Sequence, residues 1–125
     1  MSEKVLIVTP PDDVVVDGFR VLLVDLDTTH TQALSQILNR LDFNTNAIFY
    51  LWKTGDDIEW LLDKKHKADY IVFNADSTND IIIGYLAAQK NAYYFGTLKS
   101  LAAANNRAIY NIDQILDLLE RLIKS

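Results

Sequence analysis

Residues 19–27 read FRVLLVDLD, an apolar run that ends in two aspartates. Its core, Val21–Val24, is continuous rather than alternating, which is typical of a strand covered on both faces. Similar runs, rich in β-branched and aromatic residues, recur at Ala47–Trp52, Tyr70–Phe73 and Ala92–Phe95. A shorter candidate for a fifth run is Ala108–Tyr110. The sequence therefore predicts a series of buried strands.

Segments with helical spacing separate these runs. Their apolar residues recur three and four positions apart, so each segment carries one apolar stripe that can lie on a sheet. The stripes are Leu34, Ile37, Leu38 and Leu41; Ile58, Leu61 and Leu62; Ile82, Ile83 and Leu86; and Ile112, Ile115, Leu116, Leu119, Leu122 and Ile123. A cap with an acceptor three residues later predicts three helix starts. These pairs are Thr29 with Gln32, Asp56 with Glu59, and Asn111 with Gln114.

The alternation of strands and helices predicts an α/β fold. Right-handed crossovers then give a three-layer, doubly wound, mainly parallel five-stranded sheet of flavodoxin-like or Rossmann-like type. The 125 residues contain no internal repeat or linker, so we expect a single domain, with residues 19–125 as its core.

The first 18 residues do not follow this alternation of strands and helices. Val5–Val8 and Val14–Val16 are both strand-like, and Asp17-Gly18 is a hairpin turn signal that would pair Val14–Val16 with the strand beginning near Phe19. We therefore predict an antiparallel edge hairpin over residues 1–18. Its consecutive apolar residues leave surfaces to cover, so we expect a second copy or a protein partner to bind there.

Composition excludes several functions. A net charge of -5 argues against binding to duplex nucleic acid. The absence of cysteine excludes disulfides, thiolate zinc sites and cysteine nucleophiles. The apolar run before Thr9 is too short for a signal peptide or a membrane span, so we expect a cytoplasmic protein.

Polar residues follow the predicted strands, where parallel sheets bind their ligands. The predicted ligand-binding rim consists of Asp25, Asp27, Thr54, Asn74, Asp76, Ser77 and Thr97. Asp25 and Asp27 suit either a hard cation or helix capping, and capping is favoured, as it is for Asp76. Trp52, Tyr94 and Phe95 suit a stacking surface for a base, although for Tyr94 and Phe95 a place in the strand core is favoured. We predict no catalytic residue, no metal ligand and no cofactor.

The two histidines and a basic run are interpreted as structural residues. His30 and His66 have no nucleophile near them in sequence, so a hydrolytic triad is not predicted. The run Lys64-Lys65-His66-Lys67 reads as a solvated helix end whose positive charge suits the helix dipole.

From Phe19 to the C-terminus, the layout resembles a response-regulator receiver domain. FRVLLVDLD is similar to the acidic end of its first strand, ADYIVFNAD to its phosphoacceptor strand, and IDQILDLLERLI to its closing helix. The resemblance places Asn74 at the phosphoacceptor position and Thr97 at the switch hydroxyl. Tyr110 and Asn111 stand where the family's lysine is expected. The receiver resemblance therefore implies a docking module that does not carry out phosphotransfer.

The middle of the chain, from Ala47 to Gly96, also resembles the nucleoside 2-deoxyribosyltransferase-like group. In ADYIVFNADSTNDIIIGYLAAQKNAYYFG, Asp69 and Asp76 bracket the strand. The resemblance implies that the small residues Gly84, Ala87 and Ala88 let the helix approach the sheet. Ile82 and Ile83 stand where the nucleophilic glutamate is expected, so the family's glycosyl-enzyme cannot form there. The phrases WLLDKKHKADYIVFNAD and GYLAAQKNAYYFG resemble a small protein of T-even-like tailed phages, which implies no activity.

Both resemblances lack the residue on which their chemistry depends. We therefore expect a non-catalytic binding or protein-interaction module. The alternative is a nucleoside- or nucleotide-binding protein, or a deoxyribosyltransferase-like enzyme in which Asp76 or Asp80 replaces the glutamate.

Overall fold

The computed structural model describes residues 5–14, 16–26, 32 and 46–95. Five strands and two helices lie within this part of the chain. The strands are β1 Val5–Val8, β2 Gly18–Val24, β3 Asn46–Trp52, β4 Tyr70–Asn74 and β5 Ala92–Phe95. The helices are α1 Ile58–Lys67 and α2 Asp80–Ala87. The predicted strand at Ala108–Tyr110 and the helices at Leu34–Leu41 and Ile112–Ile123 lie outside the described residues.

The five strands form one sheet in the order β1-β3-β2-β4-β5, and every pair is parallel. The part β3-β2-β4-β5 follows the flavodoxin-like order, and β1 is an additional strand beside β3. The predicted parallel α/β arrangement is confirmed.

The predicted antiparallel hairpin is wrong. β1 lies in the sheet parallel to β3, with Val8 opposite Tyr50, and β2 begins at Gly18. A Cβ at Gly18 would lie 2.6 Å from the carbonyl oxygen of Asn46, so this glycine allows a close approach of β2 to β3 instead of making a hairpin turn. The expected interface at the hairpin therefore loses its structural basis.

Both faces of the sheet are buried at its centre. The fully buried strand residues include Leu22, Ile48 and Ile71 on one face, and Val21, Phe49 and Val72 on the other. Burial on both faces explains why the runs are continuously apolar. Leu61 of α1 and Leu86 of α2 pack into the core of the first face. In the described part of the chain, no helix is long and apolar enough to cross a membrane.

The two helices begin at asparagine or aspartate caps that differ from the predicted ones. Asp57 caps α1 by accepting a hydrogen bond from the Glu59 amide. The predicted cap Asp56 instead accepts from the Lys53 amide at 3.0 Å and closes the preceding turn. Asn79, rather than Asp76, caps α2. Neighbouring Asp and Asn residues carry similar capping signals, and only the path of the backbone selects one.

Gly84 does not bring α2 close to the sheet. It is exposed, and a Cβ placed on it would meet no atom within 4 Å. Ala88 is exposed as well, and Ala87 is half-buried. The small-residue packing implied by the deoxyribosyltransferase resemblance is therefore wrong for Gly84 and Ala88.

Gly84→Ala should stabilise the protein. Alanine is the better helix former and finds open space there, so we expect the free energy of unfolding to rise by about 0.5–1 kcal/mol. Gly55→Ala is the matched control, because a Cβ there also meets open space but φ is 105°. Strain should lower its free energy of unfolding by about 1–2 kcal/mol. Urea unfolding measures both, and a loss of stability in Gly84→Ala would contradict the exposed placement.

A buried lysine attaches the connection between β1 and β2 to α1. The Lys64 side chain is only 2% exposed, and its Nζ lies 2.8 Å from Asp13 and 3.0 Å from Asp63.

Aromatic residues also surround this lysine. Its Nζ lies 5.3 Å from the ring centroid of Tyr50 and 5.4 Å from that of Trp60. The Trp60 indole also donates to the Asp12 carbonyl oxygen at 2.8 Å. The predicted solvated helix end is therefore wrong for Lys64, which lies on the core side of α1.

These contacts set the charge states of the ion pair. Burial lowers the pKa of Lys64, but its hydrogen bonds to Asp13 and Asp63 outweigh that effect and raise the pKa overall. The bond from Lys64, with smaller contributions from the Val14 amide and Lys67, lowers the pKa of the Asp13 carboxyl to about 2. Both groups are therefore charged at neutral pH.

Asp13→Asn should destabilise the protein in a pH-dependent way. We expect a loss of about 1 kcal/mol at neutral pH, because the 41% exposed Asp13 is partly screened by solvent. In the folded state the pKa of Asp13 lies below its ordinary value of 3.8. Its contribution to the free energy of unfolding is therefore complete above pH 3.8 and is lost as the pH falls through about 2.

Urea unfolding across this pH range measures the difference between wild type and variant. Asp12→Asn is the matched control, since the backbone of Asp12 makes the bond to Trp60. A difference between wild type and Asp13→Asn that stays constant down to about pH 2 would contradict the assignment.

Candidate functional site

The sheet places the ends of β2 and β4 side by side at its carboxyl edge. After β2 the chain adds β3 on one side and then adds β4 on the other side, so the direction of strand addition reverses between β2 and β4. Doubly wound sheets bind ligands at such a point. A pocket of about 270 Å³ lies there, lined by Asp25, Leu26, Lys53, Asn74 and Ser77. We call it the switch-point pocket.

Asp25 is held in a fixed position. Its φ of 58° is left-handed, a conformation that aspartate tolerates better than most residues, and its amide donates to the Trp52 carbonyl at 2.9 Å. The two carboxylate oxygens accept from the Thr54 amide at 2.7 Å and from the Thr54 hydroxyl at 2.9 Å. Thr54 thus orients the carboxylate at the wall of the pocket.

Asn74 organises the opposite wall. Its backbone carbonyl oxygen accepts hydrogen bonds from the amides of Ser77 and Thr78. Its side-chain oxygen accepts one from the Asp76 amide at 3.1 Å. This is an Asx turn, in which a short side chain replaces a backbone acceptor. The turn fixes both Asn74 and Ser77 beside β2.

The structure brings together four of the seven predicted rim residues. Asp25, Asn74 and Ser77 line the switch-point pocket, and Thr54 reaches it through its bonds to Asp25. Asp76 is exposed and does not line the pocket. Asp27 and Thr97 lie outside the described residues.

Two lining residues were absent from the predicted site. Lys53 follows β3 directly, so its position at a strand end was a usable signal. Leu26 is buried, and an apolar residue between two aspartates carries no sequence signal for a pocket.

A second pocket, of about 370 Å³, lies beside the first and shares Leu26 and Lys53 with it. Its other lining residues are Ile7, Thr9, Leu23, Gln32, Leu51, Trp52 and Asp56. We call it the β1 pocket, because β1 supplies one of its walls.

The described members of the predicted aromatic surface, Trp52 and Tyr94, both belong to the buried core, and Trp52 is only 3% exposed. Trp52 lines the β1 pocket, and its indole N–H donates to the Asp57 carbonyl oxygen at 3.0 Å. Tyr94 is 2% exposed and stacks on Phe73, with ring centroids 5.7 Å apart. Tyr94 is therefore a core residue and does not offer a stacking face to a ligand.

Within the described ranges, no three His, Asp or Glu side chains gather closely enough to hold a metal ion. The switch-point pocket instead combines one carboxylate, one ammonium, one amide and one hydroxyl. Such a set exchanges hydrogen bonds with a polar organic molecule.

The chain matches no protein-family model, and no curated protein shows significant sequence similarity to it. The receiver-like, deoxyribosyltransferase-like and phage-protein resemblances remain predictions.

We expect that the chain will not accept a phosphoryl group from acetyl phosphate in the presence of magnesium. The residue at the phosphoacceptor position is Asn74, and its amide cannot attack phosphorus as a carboxylate does. Intact mass spectrometry tests this directly. A single phosphoryl adduct that maps to Asp25, Asp27 or Asp76 would contradict the expectation.

Proposed function

We propose that this domain is a non-catalytic binding module whose ligand is a nucleoside-like small molecule. Its polar part binds in the switch-point pocket. The observation that carries the proposal is the Asp25 carboxylate, which Thr54 holds with two hydrogen bonds at the wall of a pocket at the carboxyl edge.

The lining groups are complementary to a hydroxylated ligand. A carboxylate only accepts hydrogen bonds, so Asp25 suits the hydroxyl donors of a sugar. Lys53 supplies a positive charge for a phosphate or a polarised carbonyl oxygen. The Asn74 amide and the Ser77 hydroxyl both donate and accept, which allows them to fix the orientation of the ligand.

Binding without catalysis is favoured by the positions of the neighbouring acids. Asp76 and Asp80 are exposed, and neither lines the switch-point pocket. Ile82 and Ile83, at the position of the expected glutamate, are buried in the core. Neither acid is therefore placed to act as a glycosyl nucleophile on a ligand in this pocket.

Asp25→Asn tests the proposal. Asparagine tolerates the left-handed backbone and retains an acceptor for the Thr54 amide, so the fold should persist while the negative charge is lost. We expect one or more nucleosides or nucleoside monophosphates to raise the melting temperature of the wild type by a few degrees at tenfold excess over Kd. The variant should bind at least tenfold more weakly, because it loses a hydrogen bond to a charged group.

Asp76→Asn is the matched control, as it removes the same charge from a nearby exposed loop, and it should bind like the wild type. Incubation should leave deoxynucleosides and free bases unchanged. Equal binding by Asp25→Asn and wild type would contradict the proposed site. Base exchange or hydrolysis that depends on Asp76 or Asp80 would contradict the non-catalytic assignment.

A further inference from the structure

We infer that the β1 pocket receives the planar ring of the same ligand, so that the added strand β1 is a recognition element. This inference rests on the proposed function and extends it. It assigns a nucleobase-like heteroaromatic group to a pocket whose lining includes Ile7 of β1 and Thr9 directly after it.

The pocket has an apolar floor built across three neighbouring strands. Leu23 of β2 lies opposite Leu51 of β3, and Ile7 of β1 lies opposite Phe49, two residues before Leu51. Side chains two residues apart on a strand share a face, so Ile7, Leu23 and Leu51 form one continuous surface. Leu23 is almost fully buried, while Ile7 is 49% exposed. The floor therefore opens toward β1.

Polar groups border this floor. Thr9, Gln32 and Asp56 line the same pocket, and Lys53 joins them from the end of β3. A heteroaromatic ring has apolar faces and a hydrogen-bonding edge, which matches an apolar floor with a polar border. An aliphatic chain would leave these polar groups without partners on desolvation, and that is unfavourable.

Continuity between the pockets argues for one ligand that occupies both. Leu26 and Lys53 line each of them, so the pockets meet at these two residues. A hydroxylated group beside Asp25 would then be joined to a ring over Ile7 across the shared boundary. A nucleoside monophosphate has this bipartite form.

Calorimetric titration can separate the two parts of the ligand. The probes are AMP, GMP, CMP and UMP, with ribose 5-phosphate as the probe without a base. We expect at least one nucleotide to bind the wild type tenfold or more tightly than ribose 5-phosphate does. Ile7→Gln should remove that advantage, while it changes the affinity for ribose 5-phosphate by less than twofold.

Ile81→Gln is the matched control, because Ile81 is 68% exposed on α2 and lines neither pocket. It should bind all the probes like the wild type. Ile7→Thr keeps the β-branched shape that suits a strand, and it gives the same comparison if the glutamine variant loses β1.

Three results would overturn the inference, and they differ in what they say about the proposed function. Equal affinities for nucleotides and ribose 5-phosphate, or no effect of either Ile7 variant, would exclude the ring from the β1 pocket. If Asp25→Asn still weakens binding in those cases, the proposed function stands. No binding of any probe to the wild type would overturn both.

Discussion

The parallel pairing of β2 with β3 and β4 is the constraint on which the rest of this structure depends. β2 is hydrogen-bonded along both edges, and its apolar residues are buried on both faces. Parallel pairing brings the carboxyl ends of the three strands to one edge. Asp25 therefore emerges between Thr54, after β3, and Asn74, at the end of β4. The geometry of the candidate site follows directly from this pairing.

The connection between β1 and β2 depends on a different kind of interaction. The two strands are separated by β3 in the sheet, so the chain between them must pass over the sheet without pairing. Lys64 and Trp60 of α1 bind this connection at Asp13 and Asp12. A buried ammonium ion is costly unless it is paired, which makes its contact with Asp13 specific. The same contacts stabilise a connection that leads from one wall of the β1 pocket.

The two pockets divide their chemistry between different parts of the fold. The switch-point pocket lies where the flavodoxin-like strand order reverses, whereas the additional strand contributes Ile7 to the β1 pocket. Lys53 lies at their boundary, directly after the strand that pairs with both β1 and β2. A fold of this type supports many functions, so the specificity of this chain must lie in such local differences.

The sequence by itself determined β2 to β5, α1 and α2 to within a few residues, because apolar periodicity is a local property of the chain. It also determined that polar residues follow the strands. Only the tertiary structure decided the direction of β1, since a short valine-rich segment carries the same local signal whether it pairs parallel or antiparallel. The tertiary structure alone also decided that Lys64 is buried although it lies in a basic run, and that Asp25 contacts Thr54. Each depends on residues that are distant in sequence and become neighbours only when the strands pair.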